Sequence, residues 1–128
     1  NISIIDSVNK NKIAQYIASI DVALINLKKS PLFKTVIPSK IFENAAMGKP
    51  ILLGVNGEAR TIIEYYSCGL YYEPENTNDF IDKLLLLKSD SGLYNKCCQG
   101  SKRLAIDYDR KKLANEMLNE IQQTVNSA

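Results

Sequence analysis

The chain has 128 residues, a length that suits one domain, and its 45% hydrophobic and 23% charged residues are typical of a globular protein with a buried core. Sixteen basic against fourteen acidic residues give a formal charge of +2, which does not indicate nucleic-acid binding, and the lack of histidine excludes a Ser-His-Asp triad. Three cysteines, two of them adjacent, do not form a disulfide framework or a Cys-x-x-Cys pair, so we expect reduced thiols in a cytosolic protein and no zinc site.

The first half of the chain alternates short apolar runs with helical periodicity. The apolar run Ile2–Ile5 predicts a strand, and the pattern that follows predicts a helix capped by Asn9. Residues 21–27, DVALINL, are nearly all apolar, as expected of a parallel strand buried on both faces. The next segment, Leu27–Pro38, is polar with two prolines and predicts a long loop of the kind that often carries function.

The same alternation continues into the second half and then stops. A helix is predicted from Ser39 to Met47, ended by the break Gly-Lys-Pro at 48–50, and a strand follows at residues 51–55. After the turn at 56–57 come a helix, a fourth strand at residues 69–72 and a helix opened by EPENTN. Two closing helices are predicted, the second capped by Asp109, with these residues facing inward: Leu113, Met117, Leu118 and Ile121.

Strands that alternate with helices predict an α/β fold: a Rossmann-like parallel sheet of about four strands with right-handed crossovers, in one domain over residues 1–128. In such sheets a ligand binds at the carboxyl ends of the strands. The loop Leu27–Pro38 and the turn Gly54–Glu58 both fall on that edge. The edge is therefore where we expect a binding site.

Residues 35–54, TVIPSKIFENAAMGKPILLG, suggest what that site holds. Pro38 stands at the first turn of a helix, where the amides of Ser39, Lys40 and Ile41 are expected to point outward, and such an end binds anions, phosphate above all. Glu43 lies one turn deeper on the face of Ser39, where a carboxylate can accept two hydrogen bonds from a ribose diol. The pattern favours a nucleoside diphosphate.

A purely structural interpretation of the same residues stays open at this point. Ser39 is then only the helix cap, Lys40 a solvated side chain of the first turn, and Glu43 a surface acid favoured near a helix start.

The segment DVALINLKKSPLFKTVIPSKIFENAAMGKPILLGVNGEARTIIEYYSCGLYYEPENTNDFIDKLLLL closely resembles the C-terminal domain of family 4 (group 1) glycosyltransferases, in the bacterial branch with a PSK-[IL]-F-E helix start followed by GKP and GEA. The resemblance covers essentially the whole chain. It implies the GT-B fold, in which two Rossmann-like domains face each other across a cleft. The C-terminal domain of these enzymes binds the nucleotide-sugar donor, so the chain resembles a partial donor domain.

The resemblance also implies roles for individual residues. Glu43 matches the second acid of the E-x7-E motif, which holds the ribose hydroxyls, and Pro38, Ser39 and Lys40 match the segment that faces the diphosphate. The first acid would fall at Thr35, so the sugar contact made by that acid is either changed here or supplied by the backbone of the loop Phe33–Ile37.

Two further features of the family concern the rim of the site and the rest of the enzyme. Gly57 and Glu58 match the turn on the rim of the donor site. The basic pair that neutralises the diphosphate in relatives would precede this chain. The N-terminal acceptor domain is also expected as a partner outside it, and we expect the fragment by itself to bind weakly and to be inactive.

The resemblance implies that the parent enzyme moves a sugar from a nucleoside diphosphate, UDP in particular, to a saccharide or lipid-linked saccharide in bacterial surface polysaccharide synthesis. Relatives retain the anomeric configuration and need no metal, so no cofactor and no nucleic-acid partner is expected, and no catalytic residue is identified. Expected localisation is cytoplasmic. A basic cluster near the last helix junction either contacts anionic lipid at the inner membrane face or is a solvated surface; its members are Lys102, Arg103, Arg110, Lys111 and Lys112.

Two other functions remain open from the sequence. One is half of a nucleotide-sugar 2-epimerase, which shares the GT-B plan but for which we would expect histidines. The other is a non-catalytic Rossmann-like binding module. A phosphorylatable receiver would need clustered acids after the first strand, where only Asp6 is present.

Overall fold

The computed structural model describes residues 2–127 as an α/β fold in which helices flank a small parallel sheet. Its strands are β1 (Ala23–Asn26), β2 (Ile51–Gly54) and β3 (Gly69–Tyr71), and its helices are α1 (Lys10–Ser19), α2 (Lys40–Ala46), α3 (Glu58–Tyr66), α4 (Thr77–Ser89), α5 (Ser91–Asp107) and α6 (Arg110–Asn126). A short 3-10 helix, Pro31–Thr35, lies in the long loop after β1. The general fold class expected from the sequence is confirmed.

The sheet has the order β1-β2-β3, with every neighbouring pair parallel. Ala23 pairs with Ile51, and Ile51 pairs with Gly69, so the three strands start and end at nearly the same level. Because α2 and α3 each connect neighbouring parallel strands, all carboxyl ends meet at one edge of the sheet, as the alternating pattern predicts.

Each face of the sheet has its own core. On one face Ile25, Ile51 and Leu53 pack with buried side chains of α2, α3 and α5, including Ile63 and Leu104. On the other face Leu52 packs with side chains of α4, α5 and the segment after β3; they are Leu87, Cys97 and Tyr72. Alternation of side chains along β2 places residues 51 and 53 opposite residue 52, so this central strand is buried throughout.

Helix α5 crosses the amino-terminal edge of the sheet and contributes to both cores. The Tyr94 hydroxyl donates to the Asp21 carbonyl at 2.9 Å, just before β1. The buried Ser101 Oγ lies 2.7 Å from the Lys49 carbonyl and 3.3 Å from the Cys68 carbonyl, just before β2 and β3. A Cβ on the neighbouring Gly100 would lie 2.3 Å from the Tyr66 carbonyl oxygen, so the close approach requires glycine. The helix therefore closes this edge.

Several local signals in the sequence act as expected. The Asn9 side chain caps α1 by accepting from the Asn11 amide at 3.1 Å, and Asp109 caps α6 through the amides of Lys111 and Lys112. Helix α2 ends before Gly48, whose φ of 65° is the left-handed conformation of a helix stop.

The predicted first strand is wrong. Residues 2–9 form no regular secondary structure, and Ile2 and Ile4 are 92% and 95% exposed. A strand requires a neighbour to pair with, and the sheet pairs β1 with β2 alone on that side within the described residues. Three of the four predicted strands are formed.

The inward face predicted for the last helix is also absent. No residue of α6 is buried, and the predicted inward residues are 41–65% exposed; they are Leu113, Met117, Leu118 and Ile121. The predicted helix is confirmed, but a periodic apolar stripe does not specify which surface covers it.

Candidate functional site

The carboxyl-terminal edge of the sheet holds a cavity of about 230 Å³. We call it the edge cavity. Its walls are the loop after β1 and the segment after β3, and its floor is the end of β2; the lining residues are Leu27–Pro31, Phe33, Lys34, Gly54–Asn56, Glu73 and Pro74. The cavity thus occupies the edge at which parallel α/β sheets bind ligands.

A charge network joins two walls of the edge cavity. The Lys29 ammonium lies 2.7 Å from Oε1 of Glu73, and the Lys29 amide donates to Oε1 of Glu75 at 3.1 Å. The second carboxylate oxygen of Glu73 accepts a hydrogen bond of 2.6 Å from the Tyr71 hydroxyl. These contacts connect the loop after β1 to the segment after β3 across the end of β2.

The same network determines which of its groups are charged. Hydrogen bonds from Lys29 and Tyr71 lower the pKa of Glu73. The hydrogen bond between Lys29 and Glu73 raises the pKa of Lys29. Burial first, and the hydrogen bond to Glu73 second, raise the pKa of Tyr71 to about 12. The Arg60 guanidinium stacks 4.1 Å from the centre of the Tyr71 ring. At neutral pH the cavity therefore presents an ionised carboxylate beside an ammonium group.

Ser39 and Glu43 lie on one face of α2, as their four-residue spacing predicts, and line a second depression that we call the α2 groove. Tyr108, Arg110 and Lys111, from the junction of α5 and α6, line its other side. Glu43 is exposed and forms no ion pair with any of the described residues. The groove is therefore lined by two acids, Glu43 and Asp109, and by two basic residues.

The start of α2 differs in part from the expected arrangement. The Ile41 amide donates to the Pro38 carbonyl at 3.0 Å, so the prediction of three outward amides is wrong for this one. Ser39 has helical backbone angles and its side chain makes no capping hydrogen bond, which argues against the simple cap interpretation. Lys40 is exposed as the first residue of the helix.

The other predicted residues lie around the edge but do not line its cavity. Thr35 is the exposed last residue of the 3-10 helix, and Glu58 is the exposed first residue of α3. Gly57 has a φ of 91°, and a Cβ there would lie 2.0 Å from the Lys34 carbonyl oxygen, so the 3-10 helix covers this turn closely. Gly57 thus packs directly against the backbone of this loop.

Glu73 is not among the residues predicted from the sequence, because it belongs to a different element from the motif at Ser39. It lies near Lys29 only because the sheet brings the ends of β1 and β3 to the same edge. It was detectable as the first acid after the last strand, a position on the same edge.

Other features of the described residues bear on the chemistry. Cys68 and Cys97 are buried free thiols, and Cys98 is a half-buried one. In residues 2–127 no group of three or more His, Cys, Asp or Glu side chains is placed to hold a metal ion. No helix of this part of the chain has the length and apolar character needed to cross a bilayer.

The candidate site thus combines the edge cavity, which contains an ion pair, with the α2 groove, whose Glu43 carboxylate has no ion-pair partner among residues 2–127. Comparison of the chain with protein-family models, curated proteins and solved structures finds no match.

Proposed function

We propose that this chain is the nucleotide-sugar-binding part of a GT-B glycosyltransferase. The whole enzyme would transfer a sugar, with retention and without a metal, from a UDP-linked donor to a saccharide or lipid-linked saccharide of a bacterial surface polysaccharide. An acceptor domain outside this chain would bind the acceptor. The enzyme would work in the cytoplasm, at the inner face of the membrane where the acceptor is lipid-linked.

The observation that carries this proposal is the contrast between an open carboxyl edge and a closed amino edge. Helix α5 covers the starts of all three strands, whereas the ends of the strands surround the edge cavity. Ligands of open parallel sheets bind at that edge. The loop that lines the cavity continues into the PSK segment, on which the resemblance to donor domains depends.

The charges along this loop suit a departing diphosphate. Lys28, Lys29 and Lys34 line the edge cavity, and Lys40 is exposed at the start of α2. Sugar transfer from a nucleoside diphosphate develops negative charge on the leaving oxygen, and fixed cations stabilise that charge. We assign this role to Lys34 and Lys40, because Lys29 is already paired with Glu73.

We assign recognition of the ribose to Glu43. Its carboxylate is exposed and unpaired among the described residues, so a vicinal diol can bind without breaking an existing contact. Ser39, on the same face of α2, would contact the adjoining phosphate through its hydroxyl group.

The first prediction tests Glu43. We expect the intact protein, meaning the whole enzyme with its acceptor domain, to bind UDP in a calorimetric titration. Glu43→Ala should weaken that binding by roughly 1.5–3 kcal/mol, the contribution of a hydrogen bond to a charged group. The matched control is Glu116→Ala, an exposed acid of α6, which should leave the affinity for UDP unchanged. Parallel titrations with GDP and free glucose give the base preference and the contribution of the sugar alone.

The outcomes separate the parts of the proposal. An affinity for UDP that Glu43→Ala does not change would remove Glu43 from the site. If the intact protein binds neither UDP nor GDP, the donor-binding proposal is wrong. When binding is found, incubation of the whole enzyme, acceptor domain included, with a UDP-sugar and a saccharide acceptor distinguishes transfer from 2-epimerisation or from binding alone.

A further inference from the structure

The carboxylate of Glu73 is held in a fixed orientation inside the edge cavity. Its two oxygens each have a separate donor, the Lys29 ammonium at 2.7 Å and the Tyr71 hydroxyl at 2.6 Å. The Glu73 backbone is also anchored, because its amide donates to Oδ2 of Asp79 at 2.7 Å. The Glu73 side chain is nevertheless 41% exposed, so a ligand can reach it. Both the position and the direction of the carboxylate are therefore determined before any ligand binds.

This carboxylate has hydrogen-bonding capacity left over. An ionised carboxyl group offers about four acceptor positions, and the two contacts to Lys29 and Tyr71 use two of them. The lowered pKa of Glu73 keeps the group ionised, and the raised pKa of Tyr71 keeps its hydroxyl a donor. The group can thus accept hydrogen bonds from two ligand hydroxyls at neutral pH.

The remaining walls of the cavity suit a compact ligand with both apolar and polar surface. Leu27, Pro31 and Phe33 provide apolar surface, and Asn56 provides a side-chain amide. A sugar ring has apolar C–H faces and a rim of hydroxyl groups, and it matches such a lining. Three lysines against one glutamate give the cavity a net positive charge, which suits a neutral sugar attached to a diphosphate.

We propose that the edge cavity is the subsite for the sugar ring of the donor, and that Glu73 binds two of its hydroxyl groups. Lys29 and Tyr71 are positioning residues, because they hold the carboxylate and do not have to touch the sugar. The inference rests on the proposed donor-binding function and adds the group that selects the sugar.

A phosphate group fits this position less well than a sugar. The Glu73 carboxylate would repel a phosphate placed within hydrogen-bonding distance, and the charge of Lys29 is already compensated by Glu73. Lys34 and Lys40 form no ion pair with any of residues 2–127, and the diphosphate is expected at these two lysines.

The test compares UDP with UDP-glucose, UDP-galactose and UDP-N-acetylglucosamine in calorimetric titrations of the intact protein. The readout is the ratio of the Kd for UDP to the Kd for each UDP-sugar, because this ratio isolates the contribution of the sugar. We expect at least one UDP-sugar to bind more tightly than UDP in the wild type. In Glu73→Gln that advantage should fall roughly tenfold, the effect of losing hydrogen bonds to a charged group, while the Kd for UDP stays within about twofold.

Two further variants make the result specific. Tyr71→Phe keeps the ring under Arg60 but removes one donor to Glu73, so it should lower the sugar ratio less than Glu73→Gln does. Asp107→Asn is the matched control, because Asp107 also accepts from a tyrosine hydroxyl, that of Tyr66 at 2.8 Å, and lies 3.6 Å from the ammonium of Lys112, but does not line the cavity. Thermal unfolding of every variant confirms that it is folded.

The outcomes keep this inference apart from the proposed function. Binding of UDP with an unchanged sugar ratio in Glu73→Gln would overturn the sugar subsite and leave the donor-binding proposal intact. The same conclusion follows if no UDP-sugar binds more tightly than UDP, or if Asp107→Asn lowers the ratio equally. Tighter binding of UDP itself to Glu73→Gln would show that the cavity holds phosphate. Failure of UDP to bind at all would instead count against the donor-binding function.

Discussion

The two edges of the parallel sheet are held together by different kinds of contact. At the amino edge, the buried Ser101 hydroxyl of α5 contacts backbone carbonyls just before β2 and β3, and Leu104 of the same helix packs into the core on one face of the sheet. At the carboxyl edge, the loops are joined by the pair Lys29–Glu73, whose side chains are 62% and 41% exposed. Buried contacts of the first kind contribute several kcal/mol to the free energy of unfolding, whereas exposed ion pairs contribute about 1 kcal/mol or less.

This difference separates the contacts that stabilise the fold from those that form the candidate site. Helix α5, at the amino edge, supplies much of the buried packing, so its substitution should lower stability without altering the site. The carboxyl edge is joined by exposed contacts that are individually weak, so substitution of its charged side chains should alter binding more than stability. The following predictions test this division, beginning with the largest expected effect.

Leu104→Ala should lower the free energy of unfolding by about 2–5 kcal/mol, because Leu104 is fully buried and its removal leaves a cavity between α5 and the sheet. Urea unfolding followed by circular dichroism measures the change. The control on the same helix is Ile106→Ala, at 67% exposure, which should change stability by about 0.5 kcal/mol or less. Folded Leu104→Ala should bind UDP like the wild type, and a weakened affinity would contradict the division between the edges.

Gly57→Ala should lower the free energy of unfolding by about 1–3 kcal/mol and also weaken UDP binding. The φ of 91° strains any residue with a Cβ, and the new Cβ would displace the Lys34 backbone, which lines the edge cavity. Gly92→Ala is the control, because a Cβ there meets no atom closer than 3.3 Å and stability should change by less than about 1 kcal/mol. Unchanged UDP binding in Gly57→Ala would show that the loop position does not matter to the site.

The pH dependence of stability should report how completely water is excluded from the amino edge of the sheet. Burial raises the pKa of Cys68, just before β3, from 9.0 to about 12. As the pH rises above about 9 the unfolded chain loses this proton while the folded chain keeps it, so stability should fall between about pH 9 and 12, by at most about 1.4 kcal/mol per pH unit. Urea titrations at pH 8, 9 and 10 measure the slope, which Cys68→Ala should flatten and the control Cys98→Ala should not. An unchanged slope in Cys68→Ala would mean that the thiol is not protected from ionisation.

Local sequence signals predicted most of the secondary structure, because caps and stops act over a few residues. Asn9 and Asp109 start their helices, and Gly48 follows the end of α2. The apolar pattern alone misassigned Ile2–Ile5, since a short apolar run becomes a strand only where a neighbouring strand supplies hydrogen-bond partners. The apolar stripe of α6 likewise predicts a buried face that the structure does not show. Periodicity identifies which residues share a helix face, but it does not identify what that face contacts.

The candidate site was predictable only as far as its residues are close in sequence. Ser39 and Glu43 share one helix, so their common face follows from helical geometry, and the structure brings them to one groove. Prediction of the edge cavity would have required the strand order. Lys29 and Glu73 are 44 positions apart, and they meet because β1 and β3 lie on either side of β2 and run parallel to it.

The sequence by itself determined the α/β class, the parallel strands, the edge at which a ligand is expected and the position of the PSK segment on that edge. Those properties depend on composition, periodicity and local capping, which act along the chain. Only the tertiary structure decided that α5 closes the opposite edge and that Glu73 faces Lys29. These contacts join distant segments, and their geometry depends on how the helices and the sheet pack together.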